Sequence, residues 1–237
     1  MLNCNFETGV CSIDAQKNTT MTAKTVHQDV TIRYIGDPMC SWCWGISPTI
    51  TDISDYCKEH GLNFEIHVGG LRVGGGDVWN EKFKSFLRKE WEHIGQKTGQ
   101  PYSNKILERS YFNYDTEPAC RAIVTAKKML SENKEVLVKF YSAVQFKFYV
   151  EGQDPKNVSY YQDICELTGL SFDKFKDLFL SPTLKNATMQ EFLKCQQFGV
   201  RSFPSIVLDD KGKITPLSIG FSKTEDILNK LEMHLSK

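Results

Sequence analysis

The sequence predicts an α/β protein in which a block of helices interrupts a β-sheet domain. Three observations support this fold class. A strand-helix-strand pattern occupies residues 30–68, amphipathic helical segments follow over residues 78–198, and two strands and a helix close the chain. The order β-α-β, helices, β-β-α indicates that the two flanking halves form one sheet and that the helical block is inserted between them.

The first half opens with a strand at residues 30–35, VTIRYI, in which apolar and polar residues alternate. Apolar residues then recur at helical spacing, and Pro48 is expected to kink this helix because it removes a backbone donor. Alternation returns in NFEIHV (63–68), so the unit predicts a parallel strand pair. The glycine-rich stretch GGLRVGGG (69–76) lacks the spacings of phosphate-binding loops. We interpret it as a flexible loop that leads into another domain.

Residues 78–198 show helical periodicity and no convincing strand. Pro118 opens one helix, at a position where proline is favourable, and Gly199 follows the last helix as a plausible stop. We therefore expect three parts: an N-terminal extension (1–28), a sheet domain formed by residues 29–77 and 199–237, and an inserted helical domain (78–198).

The second half returns to strand character at SIVL (205–208). The next segment, ITPLSI, contains Pro216, which predicts an edge strand or a bulge because proline cannot donate to a sheet ladder. The final helix is predicted to begin with a capping box formed by Ser222 and Glu225.

The composition is that of an ordinary globular protein of one or two domains. Of its 237 residues 41% are hydrophobic and 24% charged, and 29 basic residues balance 29 acidic ones. A neutral chain without a basic block offers no electrostatic basis for binding nucleic acid or an anionic membrane. No apolar run approaches the roughly 18 residues of a membrane span. We expect neither nucleic acid nor a membrane among its partners.

The N-terminal stretch MLNCNFETGVCSIDAQKNTTMTAK has neither the basic region nor the apolar stretch of a secretory signal. If Met1 is the native start, this predicts a cytoplasmic protein; Met21 is an alternative start. In a reducing cytoplasm most of the eight cysteines are expected to be free thiols. Four of them lie in helical, apolar surroundings and are interpreted as small buried hydrophobic residues, namely Cys57, Cys120, Cys165 and Cys195.

The stretch DPMCSWCWGISP (37–48) places Cys40 and Cys43 at the turn between the first strand and its helix. Metal binding is one interpretation, but a single CxxC supplies only two of the four ligands usual in a structural zinc site. Cys4 and Cys11 would have to complete such a site. A peptide- or zinc-binding module without redox turnover is therefore the alternative function. We expect no resident metal and no cofactor.

Thiol-disulfide exchange explains more of this motif. A cysteine at the first turn of a helix faces unpaired backbone N–H groups and the positive end of the helix dipole, and both favour thiolate over thiol. Cys40 is therefore expected to be reactive near neutral pH, and Cys43, one helical turn further on, is placed to resolve a mixed disulfide. Trp42 is expected to be partly exposed, whereas Trp44 is assigned to core packing.

A second informative stretch is RSFPS (201–205), in which Pro204 stands immediately before a strand. Together with the strand leading into DPMCSWCWG, the helix with Pro48 and the helical block, it resembles the DsbA-like branch of the thioredoxin superfamily. The likeness covers roughly residues 29–237. TEPACRAI (116–123) is similar to the cytosolic FrnE-like predicted protein-disulfide isomerases in particular. The resemblance implies a thioredoxin-like fold with a helical domain inserted between its β-α-β and β-β-α halves.

The resemblance implies a thiol-disulfide oxidoreductase with Cys40 as nucleophile and Cys43 as resolving cysteine. The Ser-Trp dipeptide between them would tune the reduction potential. That dipeptide and the missing signal differ from the periplasmic oxidases, and the glutathione poise of the cytosol keeps most dithiols reduced. We therefore expect a reductase or isomerase.

The resemblance also implies a substrate-binding rim beside the cysteine pair. Pro204 is expected to be cis and to pack against this pair, where the backbone of Phe203 would pair with a bound polypeptide. The rim implied in this way comprises Ser41, Trp42, Phe203 and Pro204. The expected substrate is a disulfide-containing protein or a small thiol such as glutathione. Arg121 is a weaker candidate for lining the site, since structural roles suit it equally well.

Cys4 and Cys11, in NCNFETGVCS, lie outside the region of likeness. Glu7-Thr8-Gly9 suggests a turn that brings the two cysteines together. One hypothesis is a second redox pair that relays electrons to Cys40 and Cys43. The other, which we favour, is a tail with incidental thiols.

Overall fold

The computed structural model describes residues 30–131 and 133–236 in full, and of the N-terminal region only the backbone of residues 2–5 and 10–13. No helix in this described part is long and apolar enough to cross a membrane. Its elements are β1 (Leu2–Asn5), β2 (Val10–Ile13), β3 (Val30–Gly36), α1 (Ser41–Gly45), α2 (Ser47–His60), β4 (Asn63–Val68), α3 (Glu81–Thr98), a short 3-10 helix (Lys105–Glu108), α4 (Glu117–Leu130), α5 (Lys134–Tyr149), a second 3-10 helix (Val158–Tyr161), α6 (Gln162–Leu167), α7 (Phe172–Leu180), α8 (Pro182–Gln197), β5 (Ser205–Asp210), β6 (Lys213–Ile219) and α9 (Thr224–Leu235).

The four strands from β3 onward form one mixed sheet in the order β4-β3-β5-β6. β3 pairs in parallel with β4 and antiparallel with β5, and β5 pairs antiparallel with β6. The described segment between β4 and β5 is helical and contains no strand. The predicted fold class is confirmed, because the two halves of the chain meet in one sheet and the helices interrupt them.

The core is continuous from the sheet into the inserted helices. Ile32 and Tyr34 on one face of β3 and Ile35 on the other face are fully buried, as expected for a central strand covered on both faces. On the helical side, Trp91 of α3 packs edge-on against Tyr149 of α5 with ring centroids 5.2 Å apart, and both belong to the same buried cluster as β3. Each large apolar side chain buried there contributes about 1.5–3 kcal/mol to folding. The helical block and the sheet therefore stabilise each other.

Three local predictions on prolines and helix starts can be compared with the structure. The helix after β3 breaks at Ile46, and Pro48 lies in the first turn of α2, which confirms the kink. β6 is an edge strand, and its pairing with β5 shifts register opposite Pro216, as a bulge does. The predicted Ser222 cap is wrong. α9 begins at Thr224, and the Ser222 hydroxyl instead bonds the Ser218 hydroxyl at 2.8 Å.

The glycine-rich stretch at 69–76 is tied by hydrogen bonds to the segment that precedes α4. The N–H of Arg72 donates to the Thr116 hydroxyl at 3.1 Å, and the N–H of Gly74 donates to the Asp115 carboxylate at 2.8 Å. These bonds hold the start of the inserted block against the end of β4.

The N-terminal strands β1 and β2 pair antiparallel, with the backbone of Cys4 opposite that of Cys11. This register agrees with the predicted approach of the two cysteines. The turn predicted at residues 7–9 lies outside the described residues. The choice between a redox pair and incidental thiols stays a prediction.

A network of charged residues joins β3 and β4 of the sheet to α4 and α8. The ring nitrogens of the fully buried His67 lie 2.9 Å from the Glu65 carboxylate and 2.8 Å from that of Glu191. Arg33 contacts Glu65, and Lys127 lies 2.8 Å from Glu191. The hydrogen bond with His67 lowers the pKa of Glu65 to about 2. Burial raises the pKa of Glu191, but His67 and Lys127 outweigh it and bring the pKa to about 2.

Acidification is expected to destabilise the protein through these two glutamates. Their folded pKa values of about 2 lie below the ordinary value of 4.5, so their contribution is present above pH 4.5 and is lost as the pH falls toward 2. Urea unfolding measured at pH 6, 4 and 3 should show a falling free energy of unfolding. The double variant Glu65→Gln/Glu191→Gln should be less stable at pH 6 and less sensitive to acid. An equally steep loss in that variant would contradict the assignment.

Candidate active site

Cys40 lies at the N-cap of α1, where β3 has ended and the chain turns into the helix. Its backbone is extended, with φ −86° and ψ 121°, and its N–H donates to the Asp37 carbonyl at 3.0 Å. The residue is buried but keeps 7% of its surface exposed. Its thiol faces the Phe203 carbonyl at 3.8 Å. Cys40 is thus a thiol at a helix start with a narrow opening to solvent.

Cys43 lies one helical turn further on and is fully buried. Its sulfur accepts from the N–H of Asp37 at 3.4 Å and lies close to the Cys40 thiol. Both cysteines are free thiols. Burial, and next the bond and charge of Cys40, raise the pKa of the Cys43 thiol well above its usual value. The two thiols are therefore adjacent but unequal, and the partly exposed one is Cys40.

Phe203 and Pro204 form the opposite side of the site. The peptide bond between them is cis, and Pro204 is buried. The Phe203 ring lies against Gly69 at the end of β4, where a Cβ atom would overlap the ring. The Pro204 carbonyl accepts from the N–H of Gly220 at 2.8 Å. Since Gly69 and Gly220 border β4 and β6, the sheet holds this loop against Cys40.

Ser41 and Trp42 complete the rim and are both partly exposed. The Trp42 ring lies 6.0 Å from the rings of His93 and Phe221, and the Lys97 ammonium lies 5.5 Å from its centroid. The structure thus brings together the residues expected at the site, namely Cys40, Cys43, Ser41, Trp42, Phe203 and Pro204.

Asp37 is a buried carboxylate that joins the cysteine turn to its surroundings. One oxygen accepts from the N–H of Met39 at 2.8 Å, and the other accepts from the N–H of Leu71 at 2.6 Å. The Cys120 thiol donates to the second oxygen at 3.4 Å. Burial raises the pKa of this carboxyl, and the bonds from Leu71 and Met39 oppose that rise. Asp37 therefore fixes the turn against the glycine-rich loop and α4.

The inserted block also braces the backbone of the cysteine turn. The Tyr102 hydroxyl donates to the Ser41 carbonyl at 2.7 Å, and the Tyr114 hydroxyl donates to the Met39 carbonyl at 2.8 Å. The indole N–H of Trp44 donates to the Pro101 carbonyl at 2.9 Å. Trp44 is 5% exposed, as its assignment to the core predicts.

No protein-family model matches the chain, and no curated protein sequence matches it. Among solved structures, a proposed protein disulfide isomerase from Nitrosomonas europaea superimposes with a TM-score of 0.78, covering 88% of this chain and 98% of its own, at 27% sequence identity. The chain therefore has the DsbA-like thioredoxin fold and resembles the DsbA-like branch of that superfamily.

A second solved structure shares the fold of this DsbA-like protein. The cytosolic disulfide reductase DsbM from Pseudomonas aeruginosa superimposes with a TM-score of 0.68, covering 87% of this chain and 98% of its own, at 23% identity. The same reductase solved with GSH gives a TM-score of 0.67.

Sequence reasoning missed Asp37, Tyr102 and Tyr114 in this DsbA-like protein. Asp37 opens the DPMC stretch, so its position just before the cysteines could have indicated a role at the site. The sequence around Tyr102 and Tyr114 contains no motif that would have linked them to the cysteines. Arg121, the weaker candidate for lining the site, makes its contacts between α4 and α7 and not with the cysteine pair. It packs α4 on α7 by donating to the Phe179 carbonyl at 3.1 Å and pairing with Glu117 at 3.1 Å.

The zinc hypothesis stays a prediction, because part of the ligand set that it requires lies outside the described side chains. Within them, no group of three or more His, Cys, Asp or Glu is placed to hold a metal ion. The side chains of Cys4 and Cys11, which that hypothesis required, lie outside the described set. The remaining cysteines behave as predicted, since Cys57, Cys120, Cys165 and Cys195 are buried free thiols.

Proposed function

We propose that Cys40 and Cys43 are the redox centre through which this DsbA-like thiol-disulfide oxidoreductase exchanges disulfides. The observation that carries the proposal is the pairing of unequal thiols at the helix start. Cys40 keeps 7% of its surface exposed and contacts the Phe203 carbonyl, and Cys43 is fully buried and lies close to it. A nucleophile must meet an external disulfide, whereas a resolving thiol needs only to reach its neighbour.

In the reducing direction the Cys40 thiolate attacks one sulfur of a substrate disulfide. The substrate S–S bond breaks, one substrate sulfur leaves as thiolate and takes up a proton, and the other becomes bonded to Cys40. Cys43 then loses its proton and attacks the Cys40 sulfur. The second substrate sulfur leaves as thiol, and the enzyme is left with a Cys40–Cys43 disulfide. Two equivalents of a thiol reductant restore the dithiol.

We propose that the enzyme works mainly as a reductase or isomerase of the FrnE-like kind in the cytoplasm. The single buried thiols in α2, α4, α6 and α8 fit a reducing compartment, because unpaired cysteines persist there. Substrates would be disulfide-containing proteins or small disulfides, with glutathione as a candidate thiol. Ser41 and Trp42 would line the approach, and the backbone of Phe203 beside Pro204 would pair with an extended peptide.

The test is a redox titration of the protein in glutathione buffers, followed by alkylation and mass spectrometry of the peptide containing both cysteines. A two-electron transition between roughly −280 and −120 mV is expected, since known oxidoreductases span that range. A midpoint near the lower limit supports a reductase, and one near the upper limit supports an oxidase.

Cys165→Ser is the matched control, because Cys165 is a buried thiol whose pKa burial raises to about 12. It should titrate like the wild type. If Cys40 and Cys43 never form a reversible disulfide, the proposal fails.

A further inference from the structure

The side chains of Trp42 and Phe221, called the rim aromatics below, meet beside the cysteine pair. Trp42 stands between the two cysteines in the chain and is partly exposed, as is Phe221. Phe221 follows Gly220, whose N–H donates to the Pro204 carbonyl at 2.8 Å. The two ring centroids lie 6.0 Å apart. The rim aromatics therefore connect the cysteine turn with the loop that contains the cis-proline.

Lys97 of α3 lies over both of these rings. Its ammonium nitrogen is 5.5 Å from the ring centroid of Trp42 and 5.8 Å from that of Phe221. Both distances lie within the range over which an aromatic face attracts a cation. The residue is exposed all the same. The two rings thus hold a positive charge at the rim of the site, where a solute can reach it.

The position of Lys97 depends on a close approach between α1 and α3. A Cβ atom at Gly45, the last residue of α1, would lie 2.9 Å from the Ile94 side chain and 3.0 Å from that of Thr98. Because Gly45 has no side chain, the last turn of α3, which includes Lys97, can lie against the helix that follows Cys40. A cation is favourable at the C-terminal end of any helix, but that preference does not require its side chain to cover the rim aromatics.

The charge of Lys97 is not neutralised by a carboxylate in the described part of the chain. Other lysines of the inserted helices are paired, since Lys84 lies 3.0 Å from Glu81 and Lys147 lies 3.1 Å from Asp163. Lys97 has no such partner among the residues that the structure describes. The whole chain is neutral, with 29 basic and 29 acidic residues, so it exerts no strong overall attraction on anions. The positive charge is a local property of the rim.

We propose that Lys97 determines substrate specificity by charge, because its ammonium attracts the carboxylate of a small anionic disulfide while the Cys40 thiolate attacks the neighbouring S–S bond. This inference rests on the proposed function and names a substrate class for it. A lysine ammonium offers three N–H donors, so it can bind a carboxylate while it stays over the rings.

Lys97 takes no part in the electron transfer itself. Cys40 bonds to one substrate sulfur, the S–S bond breaks, and the other sulfur leaves with the electron pair as a thiolate. Attack by Cys43 then forms the Cys40–Cys43 disulfide and releases the second half of the substrate, and the Cys43 proton balances the charge. Two electrons pass from the protein to the substrate. Lys97 acts only on the approach of the anion that precedes these steps.

Three small disulfides of different charge test the inference, namely dithiodipropionate with two carboxylates, the neutral hydroxyethyl disulfide, and cystamine with two ammonium groups. Reduced protein is mixed with each at pH 7 and quenched with acid. The remaining thiols of the peptide containing both cysteines are then alkylated and counted by mass spectrometry. The readout is the rate with dithiodipropionate divided by the rate with cystamine, relative to the same ratio in the wild type. Intrinsic differences between the two disulfides cancel in this comparison.

Lys97→Met removes the charge and keeps an unbranched side chain for the rings. At about 0.01 M salt its ratio should fall about fivefold, since it loses an exposed attraction for the anion and a repulsion of the cation. At about 1 M salt the difference should disappear, because the Debye length shrinks from about 30 Å to about 3 Å. Lys97→Arg supplies the same charge and should restore the wild-type ratio.

Lys82→Met is the matched control, because Lys82 is an exposed lysine in the first turn of α3, about 22 Å from Lys97 along the helix axis. It should keep the wild-type ratio. A wild-type ratio in Lys97→Met at low salt overturns the inference, and so does an equal loss with all three disulfides, which would make Lys97 a general support of the site. If the wild-type protein forms no Cys40–Cys43 disulfide with any of the three, the proposed function fails instead.

Discussion

Replacement of Cys40 by serine is expected to lower disulfide exchange by about 10³-fold or more, because a serine hydroxyl is not ionised near neutral pH and cannot replace a thiolate nucleophile. Cys43→Ser should behave differently. Cys40 can still attack a substrate disulfide, but the resolving thiol is missing, so the substrate stays attached. The asymmetry follows from the site, where Cys40 keeps an opening and Cys43 has none.

Intact-protein mass spectrometry after incubation with glutathione disulfide distinguishes the two variants. Cys43→Ser should accumulate a glutathione adduct on Cys40, and Cys40→Ser should show none at the pair. Cys165→Ser should retain wild-type turnover, since that thiol lies alone in α6. More than a tenth of wild-type turnover in Cys40→Ser would contradict its role as nucleophile.

Asp37→Asn is expected to lower both stability and activity. Each carboxylate oxygen of Asp37 accepts a backbone N–H, from Met39 on one side and Leu71 on the other. An asparagine NH₂ would meet one of these donors in either orientation, so one buried N–H loses its acceptor. Asparagine also removes the cost of ionising a buried carboxyl. We expect a net loss of about 2 kcal/mol in the free energy of unfolding.

Urea unfolding at pH 7 measures this loss, with Glu135→Gln as control. The Glu135 side chain is 51% exposed and pairs with the Lys58 side chain, which is 70% exposed, so its replacement should change stability by less than about 1 kcal/mol. The rate of disulfide exchange should fall in Asp37→Asn, because the cysteine turn loses its tie to the glycine-rich loop. Equal free energies of unfolding in the two variants would contradict the role of Asp37 in holding the cysteine turn.

The strands, the helices and the placement of the CxxC could be predicted because local patterns carry them. Alternation in VTIRYI marked β3, and Pro48 and Pro216 marked a helix break and a bulge. These signals depend on neighbours within a few positions. The cysteine pair was found in the same way, since a strand followed by CxxC and a helix is a short-range motif.

The residues that surround the cysteines could not be predicted from such local patterns, because they come from distant parts of the chain. Asp37 and Cys120 lie 83 positions apart, and Met39 and Tyr114 lie 75 apart. No periodicity links such residues before the fold is known. The error at Ser222 has a related cause, because its hydroxyl bonds Ser218 rather than the end of α9. Long-range packing overrides a local capping signal.

The braces of the cysteine turn have a consequence for the order in which the site is assembled during synthesis. Ser41 is bonded by Tyr102, which is translated 61 positions later, and Cys40 meets Phe203, which is translated 163 positions later. Ribosomes add about 5–20 residues per second, so the cysteines exist for many seconds before these partners do. The nascent chain therefore exposes its thiols before the contacts that form the site exist. The site is complete only when nearly the whole chain has been made.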